Sequence, residues 1–131
     1  MSQENVELVR TVYRAGDPSR WFDLLDAKVE LDFTAYPGPD SAGLHGKDAA
    51  VDWFRSWWGT WDEYVLEPTE IIDADKDRVV VVQYERGRGR GSGALLERRW
   101  AVLYTLRMGK VVRVQPFKSR EEALEAAGLS G

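Results

Sequence analysis

Apolar residues at helical spacing predict two helices at the start of the chain. The first is expected from about residue 3 to residue 14, with Ser2 as its N-cap. Its apolar stripe consists of Val6, Val9, Val12 and Tyr13. The break Gly16-Asp17-Pro18 ends this helix, and Pro18 or Ser19 begins a short second one. The apolar residues of the second helix are Trp21, Phe22, Leu24 and Leu25.

A change to a period of two predicts a half-buried strand over residues 28–36. One face carries Val29, Leu31 and Phe33, and the other carries Glu30, Asp32 and Thr34. Residues 37–43 are a loop by composition, and a third helix is expected over residues 47–61. The apolar side of that helix consists of Ala50, Val51, Phe54, Trp57, Trp58 and Trp61, with Trp53 at its edge.

The second half of the chain predicts four strands and a closing helix. The strands are expected over residues 66–73, 78–88, 95–107 and 111–117, separated by turns at 75–77 and 108–110 and by a glycine-rich loop at 87–93. With the first strand they would form an antiparallel, strongly curved sheet. Ser119 and Glu122 form a capping box for a helix over residues 120–127 that ends at Gly128. The expected class is therefore α+β, in one domain spanning residues 1–131.

Composition excludes several kinds of chemistry. The chain has no cysteine, which rules out disulfides, thiolate catalysis and cysteine-ligated zinc. Its single histidine makes a metal site unexpected, and we expect no cofactor. The net charge of −4 argues against a nucleic-acid partner. The polar start of the chain is not a signal peptide, and no apolar stretch is long enough to span a membrane, so a cytoplasmic protein is expected.

Four segments of the sequence resemble one family. The opening MSQENVELVRTVYRAGD, the segment LHGKDAAVDWFRSW, the hairpin GRGRGSG with RRWAVLYTLRMGKVVRV, and SREEALEAAGL are similar to the SnoaL-like members of the nuclear-transport-factor-two-like superfamily, the last segment to many actinobacterial members. The resemblance implies a cone-shaped fold, in which three N-terminal helices pack on a curved sheet around an apolar pocket. It also implies a homodimer. Because this fold carries isomerases, cyclases, hydrolases and non-catalytic binding subunits, the resemblance leaves the function open.

The isomerase branch of this superfamily places three ionisable groups in its pocket, and none of them is matched here. The position of the catalytic base falls at Leu31, that of a late-strand acid near Val102, and that of a tyrosine near Val12. Asp32 is adjacent to the base position but points to the opposite face of a strand. Tyr13 is adjacent to the tyrosine position. We therefore expect the isomerase machinery to be absent, and the same test fails for a cyclase that needs an Asp/His pair.

The remaining catalytic candidates are His45, Tyr13 and Asp32. His45 has the residue type of a general base near neutral pH, or it is a solvated loop residue ahead of the third helix. Glu30 and Asp32 are expected on the solvent or dimer side of their strand. The run Glu97-Arg98-Arg99 is expected to form an outward ion-pair ladder.

Aromatic residues are the strongest candidates for a binding site. They are expected to line a narrow cavity for a small apolar or aromatic ligand, although plain core packing also explains such residues. The predicted ligand-binding residues are Trp57, Trp61, Tyr84, Trp100, Val102, Tyr104, Leu31 and Arg86. Arg86 belongs to RGRGRGSG, which is either an RNA-binding element or, as we favour, a solvated hairpin loop. Its place on the Tyr84 face would let it meet a carboxylate at the pocket mouth.

The sequence leaves three functions open. The first is a small-molecule-binding domain without catalysis. The second is an isomerase, cyclase or hydrolase that acts through His45 or Tyr13. The third is an interaction module whose aromatic residues form an interface.

Overall fold

The computed structural model describes residues 2–15, 18–33 and 43–129. Over these ranges the chain forms helices at its start, middle and end, and a sheet of six strands. The elements in order are α1 (Ser2–Ala15), α2 (Pro18–Leu24), β1 (Leu25–Leu31), β2 (Leu44–His45), α3 (Lys47–Gly59), β3 (Trp61–Asp73), β4 (Arg78–Gly89), β5 (Leu95–Arg107), β6 (Lys110–Phe117) and α4 (Arg120–Ala126). The predicted α+β class is confirmed.

The strand order of the sheet is β2-β1-β6-β5-β4-β3. Strands β3 to β6 form an antiparallel meander. Strand β1 pairs in parallel with β6, with Leu31 opposite Val114. The prediction of an antiparallel sheet throughout is therefore wrong at this edge. The reason is topological, because the α3 crossover and the four-strand meander bring β6 back in the direction of β1.

Both faces of the central strands are buried. On the concave face, the N-terminal helices pack on a core that includes Val9, Val29, Val81 and Val102. On the convex face, α4 packs on Val80 through Ala123, Leu124 and their neighbours. A strand covered on both faces reads as a continuous apolar run, which is the pattern of the four valines at residues 79–82.

Several predicted boundaries are wrong in the first half of the chain. Strand β1 begins at Leu25, which was expected on the second helix, and ends at Leu31. The short strand β2 was not expected. Helix α3 ends at Gly59, and Thr60 folds back to donate its N–H to Trp57 O (3.1 Å). Trp61 therefore opens β3 instead of closing α3. The predicted break at Gly16-Asp17 and the segment 34–42 lie outside the described residues.

The second half of the chain follows the prediction closely. Strand β5 has the expected bounds, and the turn after it holds Met108 and Gly109 at φ of 52° and 78°. The Ser119 hydroxyl accepts a hydrogen bond from the Glu122 N–H (3.2 Å), which confirms the cap of α4. The Glu122 carboxylate accepts from the Lys118 N–H, one residue before the expected donor. Helix α4 ends at Ala126, followed by Gly128 at φ 79°.

Candidate functional site

Two polar side chains lie inside the concave face of the sheet. Gln83 and Glu85 alternate with Val79 and Val81 along β4 and therefore point toward the helices. Gln83 is 2% exposed and Glu85 is fully buried. They are the buried polar residues of the described part of the chain. Because a buried carboxylate is costly unless it is paired, the partners of Glu85 define the site.

Three side chains surround the Glu85 carboxylate. Arg98 lies directly opposite on β5, and its Nε donates to Oε1. The Tyr64 hydroxyl donates to Oε2, and Trp57 Nε1 donates to the same oxygen at 3.2 Å. The Arg98 side chain is 26% exposed, so the ion pair reaches from the interior to the edge of the site.

An irregularity in β3 aims Tyr64 at this carboxylate. Trp61 and Tyr64 are three residues apart, so a regular strand would place them on opposite faces. The register between β3 and β4 shifts between Asp62 and Val65, and Glu63 adopts a left-handed φ of 53°. Both rings then pack over Gly87, where an added Cβ would lie 3.3 Å from Trp61 Cβ and 3.3 Å from Tyr64 Cδ1.

A second polar chain lies next to the first. The Tyr13 hydroxyl donates to Gln83 Oε1 (2.6 Å) and lies 2.6 Å from the Tyr104 hydroxyl. Burial raises the pKa of Tyr13 and the pKa of Tyr104 well above that of free tyrosine. Burial, followed by the charge of Glu85, raises the pKa of Tyr64. All three hydroxyls therefore stay protonated at neutral pH and act as hydrogen-bond donors.

Aromatic rings form the wall around these polar groups. The rings of Trp53 and Trp57 stack with centroids 6.1 Å apart, and Trp57 meets Trp61 edge-on at 5.3 Å. The guanidinium carbon of Arg98 lies 4.7 Å from the centroid of Trp100 and 5.4 Å from that of Trp57. Trp61 Nε1 is buried and has no hydrogen-bond partner among the described residues.

Most of the predicted ligand-binding residues come together on this concave face. Leu31, Val102 and Tyr104 belong to its buried core, and Trp100 packs against that core. Trp57 and Trp61 join them through ring contacts around Glu85 and Gly87. Tyr13, predicted as a catalytic candidate, also lies here through its bond to Gln83.

Tyr84 and Arg86 lie on the other face of the sheet. Tyr84 donates to Glu97 (2.7 Å), and the Arg99 guanidinium lies 5.6 Å from its ring. Tyr84 and Arg86 alternate in phase with Val80 and Val82, which pack against α4, so the expectation that they lie on the pocket face is wrong. Glu97 and Arg99 point outward as expected, and both contact Tyr84. Arg98 points inward to Glu85, so the expectation of an outward ladder is wrong for this residue.

His45 and Asp32 lie apart from the aromatic wall. His45 is on the edge strand β2 with its side chain 78% exposed, and its Nδ1 is 3.6 Å from Glu30 Oε1. Asp32 forms an ion pair with Arg113 (2.7 Å). These contacts place His45 and Asp32 beside Glu30, where β1 pairs with β2 and β6.

Two open grooves lie outside the aromatic wall. One, of about 620 Å³, is on the convex face and is lined by Glu67, Thr69, Tyr84, Glu97, Arg98 and Arg99. The other, of about 680 Å³, runs between α1, α2 and the turn at Gly109. No group of three or more histidine or carboxylate side chains is placed to hold a metal within the described ranges. None of the helices described is long and apolar enough to cross a membrane.

Comparison with known proteins places this arrangement in a family. The model of the SnoaL-like domain matches residues 6–114. No curated protein sequence matches the chain. Among solved structures, an NTF2-like protein from Burkholderia thailandensis is similar, with a TM-score of 0.73, 26% identity, and coverage of 86% of this chain and 88% of that chain.

Two further structures share the fold at lower identity. A Mycobacterium tuberculosis protein in complex with estradiol-17β-hemisuccinate has a TM-score of 0.69 and 17% identity, covering 84% of this chain and 89% of that chain. A protein with a ketosteroid isomerase-like fold from Catenulispora acidiphila, in complex with trimethylamine, has a TM-score of 0.64 and 17% identity, covering 86% and 82%. With most of its length matched by the family model, this chain belongs to the SnoaL-like domain family.

Proposed function

We propose that this SnoaL-like domain binds a small, largely apolar or aromatic ligand against the concave face of its sheet. This proposal rests mainly on one observation. Glu85 is fully buried within an aromatic wall, where Arg98, Tyr64 and Trp57 donate hydrogen bonds to its carboxylate. Ligand sites combine such apolar walls with a few convergent polar groups, which fix the orientation of the ligand.

Stability alone does not account for this polar cluster. Replacing a buried ion pair by apolar residues of similar volume is often neutral or stabilising, so a core built only for stability has no need of Glu85 and Arg98. The bulge at Glu63, with its left-handed φ, also stores backbone strain where it turns Tyr64 inward. Both features are explained if the cluster recognises a ligand.

The side chains divide into two roles under this proposal. Trp57, Trp61 and Trp100 supply apolar contact area. The buried N–H of Trp61 would donate to an oxygen of the ligand, since buried donors are rarely left without a partner. The structural relative in complex with a steroid hemisuccinate supports a ligand that is largely, though not wholly, apolar.

Thermal stabilisation by a panel of steroids, polyketide-like aromatics, terpenes and aromatic acids tests the proposal. A ligand that binds the native state alone raises the melting temperature in a concentration-dependent way. Trp100→Leu should abolish the rise, whereas Tyr84→Leu, a matched aromatic change on the convex face, should leave it intact. A rise lost with Tyr84→Leu and kept with Trp100→Leu would refute the concave site. If the bound compound is converted to a product, the protein is an enzyme, and Tyr13 is then the candidate proton donor.

We also propose that the chain forms a homodimer through the convex face of β3 to β5. The rows across these strands, Val65–Arg86–Glu97 and Glu67–Tyr84–Arg99, carry both signs of charge. A twofold axis would therefore let the same patch pair opposite charges from two copies. Sedimentation equilibrium tests this, with Arg86→Glu expected to raise the dissociation constant and His45→Glu, at the sheet edge, expected to leave it unchanged. A wild-type monomer would refute it.

A further inference from the structure

The place occupied by the Arg98 guanidinium has the composition of a cation site. On one side is the carboxylate of Glu85, which is fully buried. On the other are two indole rings, whose centroids lie 4.7 Å (Trp100) and 5.4 Å (Trp57) from the guanidinium carbon. Aromatic faces attract cations within about 6 Å of the ring centroid, most strongly when water is excluded.

Arg98 is also able to leave this place. Its side chain is 26% exposed, so part of it already contacts solvent at the edge of the concave site. Rotation of its long, flexible side chain would move the guanidinium from Glu85 into this solvent without any movement of the strand.

The charge of Glu85 determines which kind of ligand group can replace the Arg98 guanidinium. With Arg98 gone, Glu85 would be a buried carboxylate with two neutral donors, Tyr64 and Trp57. A neutral or anionic ligand group would leave this charge uncompensated, at the full cost of an unpaired buried ion. A cationic group restores the pairing and meets the same indole faces.

We propose that the ligand of the concave site carries an alkylammonium or guanidinium group, which binds to Glu85, Trp57 and Trp100 in exchange for Arg98. This inference rests on the proposed function, and it specifies the chemical class of the polar group of the ligand. Arg98 then acts as an internal competitor that keeps the site paired when no ligand is bound.

The test compares choline with its uncharged carbon isostere, 3,3-dimethylbutan-1-ol, by calorimetric titration. Arg98→Ala removes the competitor, and we expect it to bind choline more tightly than the wild type and at least about tenfold more tightly than the isostere. Arg107→Ala, which changes an exposed arginine at the far end of the same strand, should behave as the wild type. Equal affinity of Arg98→Ala for the two compounds would overturn the proposal.

A second variant keeps the test decisive if Arg98→Ala does not fold without ligand. The double variant Glu85→Gln/Arg98→Ala has no buried charge to compensate, and its preference for choline over the isostere should disappear. If the double variant keeps the preference, the cation binds elsewhere and the proposal is wrong. The proposed function fails separately, when neither these compounds nor the neutral apolar panel stabilises the wild-type protein.

Discussion

Glu85 on β4 and Arg98 on β5 are directly opposed in the antiparallel register, and they pair on the concave face of the sheet. Cross-strand ion pairs are ordinarily features of a solvated face, whereas here the carboxylate is fully buried beneath α3 and β3 side chains. The pair therefore belongs both to the fold and to the candidate site, and its removal should change both the stability of the protein and ligand binding.

Arg98→Ala should destabilise the protein by about 3 kcal/mol, because it leaves the Glu85 carboxylate buried without its cation. Arg107→Ala removes only an exposed cation at the end of β5 and should cost less than about 1 kcal/mol. Urea denaturation of both variants measures the difference. Equal losses for the two variants would show that Arg98 does not compensate a buried charge.

Alkaline pH should destabilise the fold through three tyrosines of the concave face. The pKa of Tyr13, of Tyr64 and of Tyr104 is raised in the folded state. Above about pH 10 the unfolded chain loses protons that the folded chain keeps, so the free energy of unfolding falls by up to about 1.4 kcal/mol per pH unit for each of them.

Denaturation between about pH 9 and 11 measures this slope. Stability from these groups is fully present below about pH 10 and is lost as the pH rises toward their folded-state pKa values. Tyr13→Phe should make the slope shallower, since one proton fewer is retained on folding. An ultraviolet titration in which every tyrosine of the folded protein ionises near about pH 10 would contradict the buried network.

Gly87→Ala should disturb the inward turn of Tyr64. The new Cβ would lie 3.3 Å from atoms of both Trp61 and Tyr64, and such overpacking costs about 1–3 kcal/mol. Gly59→Ala is the matched control, because no atom lies within 4 Å of its added Cβ and α3 would gain up to about 1 kcal/mol. Thermal melts and tryptophan emission report both variants. If Gly87→Ala leaves the melting temperature unchanged, these rings do not pack on β4 as described.

His45→Ala should change neither stability nor ligand binding. The side chain is 78% exposed at the sheet edge, and its neighbour Glu30 is itself half-exposed, so their interaction contributes less than about 0.5 kcal/mol. Calorimetric titration with a ligand from the thermal panel measures the effect. Loss of binding or turnover in this variant would restore His45 as a catalytic candidate.

The sequence was sufficient for elements whose local signals agree. Strand β5 and the cap at Ser119 were predicted because alternation, turn glycines and the capping residue indicate the same boundaries. The α3 boundary was missed because Trp61 continues the apolar side of the helix, although Gly59 and Thr60 end it.

The polar residues of the site could not be predicted from the hydrophobic pattern of the sequence. Val79, Val80 and Val81 are fully buried although they alternate between the two faces, because α4 covers the convex face. The valine run therefore does not indicate which residues of β4 point toward the helices. The predicted site therefore lacks Gln83 and Glu85, and its Tyr84 lies on the opposite face of the strand. The inward direction of Tyr64 could not be predicted for a different reason. The bulge at Glu63 breaks the alternation from which strand faces are assigned.

The indole N–H resonances of the six tryptophans show most directly whether the concave aromatic wall is the ligand site. During titration with a ligand from the thermal panel, we predict saturable shifts at Trp57, Trp61 and Trp100 that follow one dissociation constant. Saturable binding that shifts backbone signals near Tyr84 or Gly109, with these three indoles unmoved, would place the ligand in one of the outer grooves and contradict a concave site.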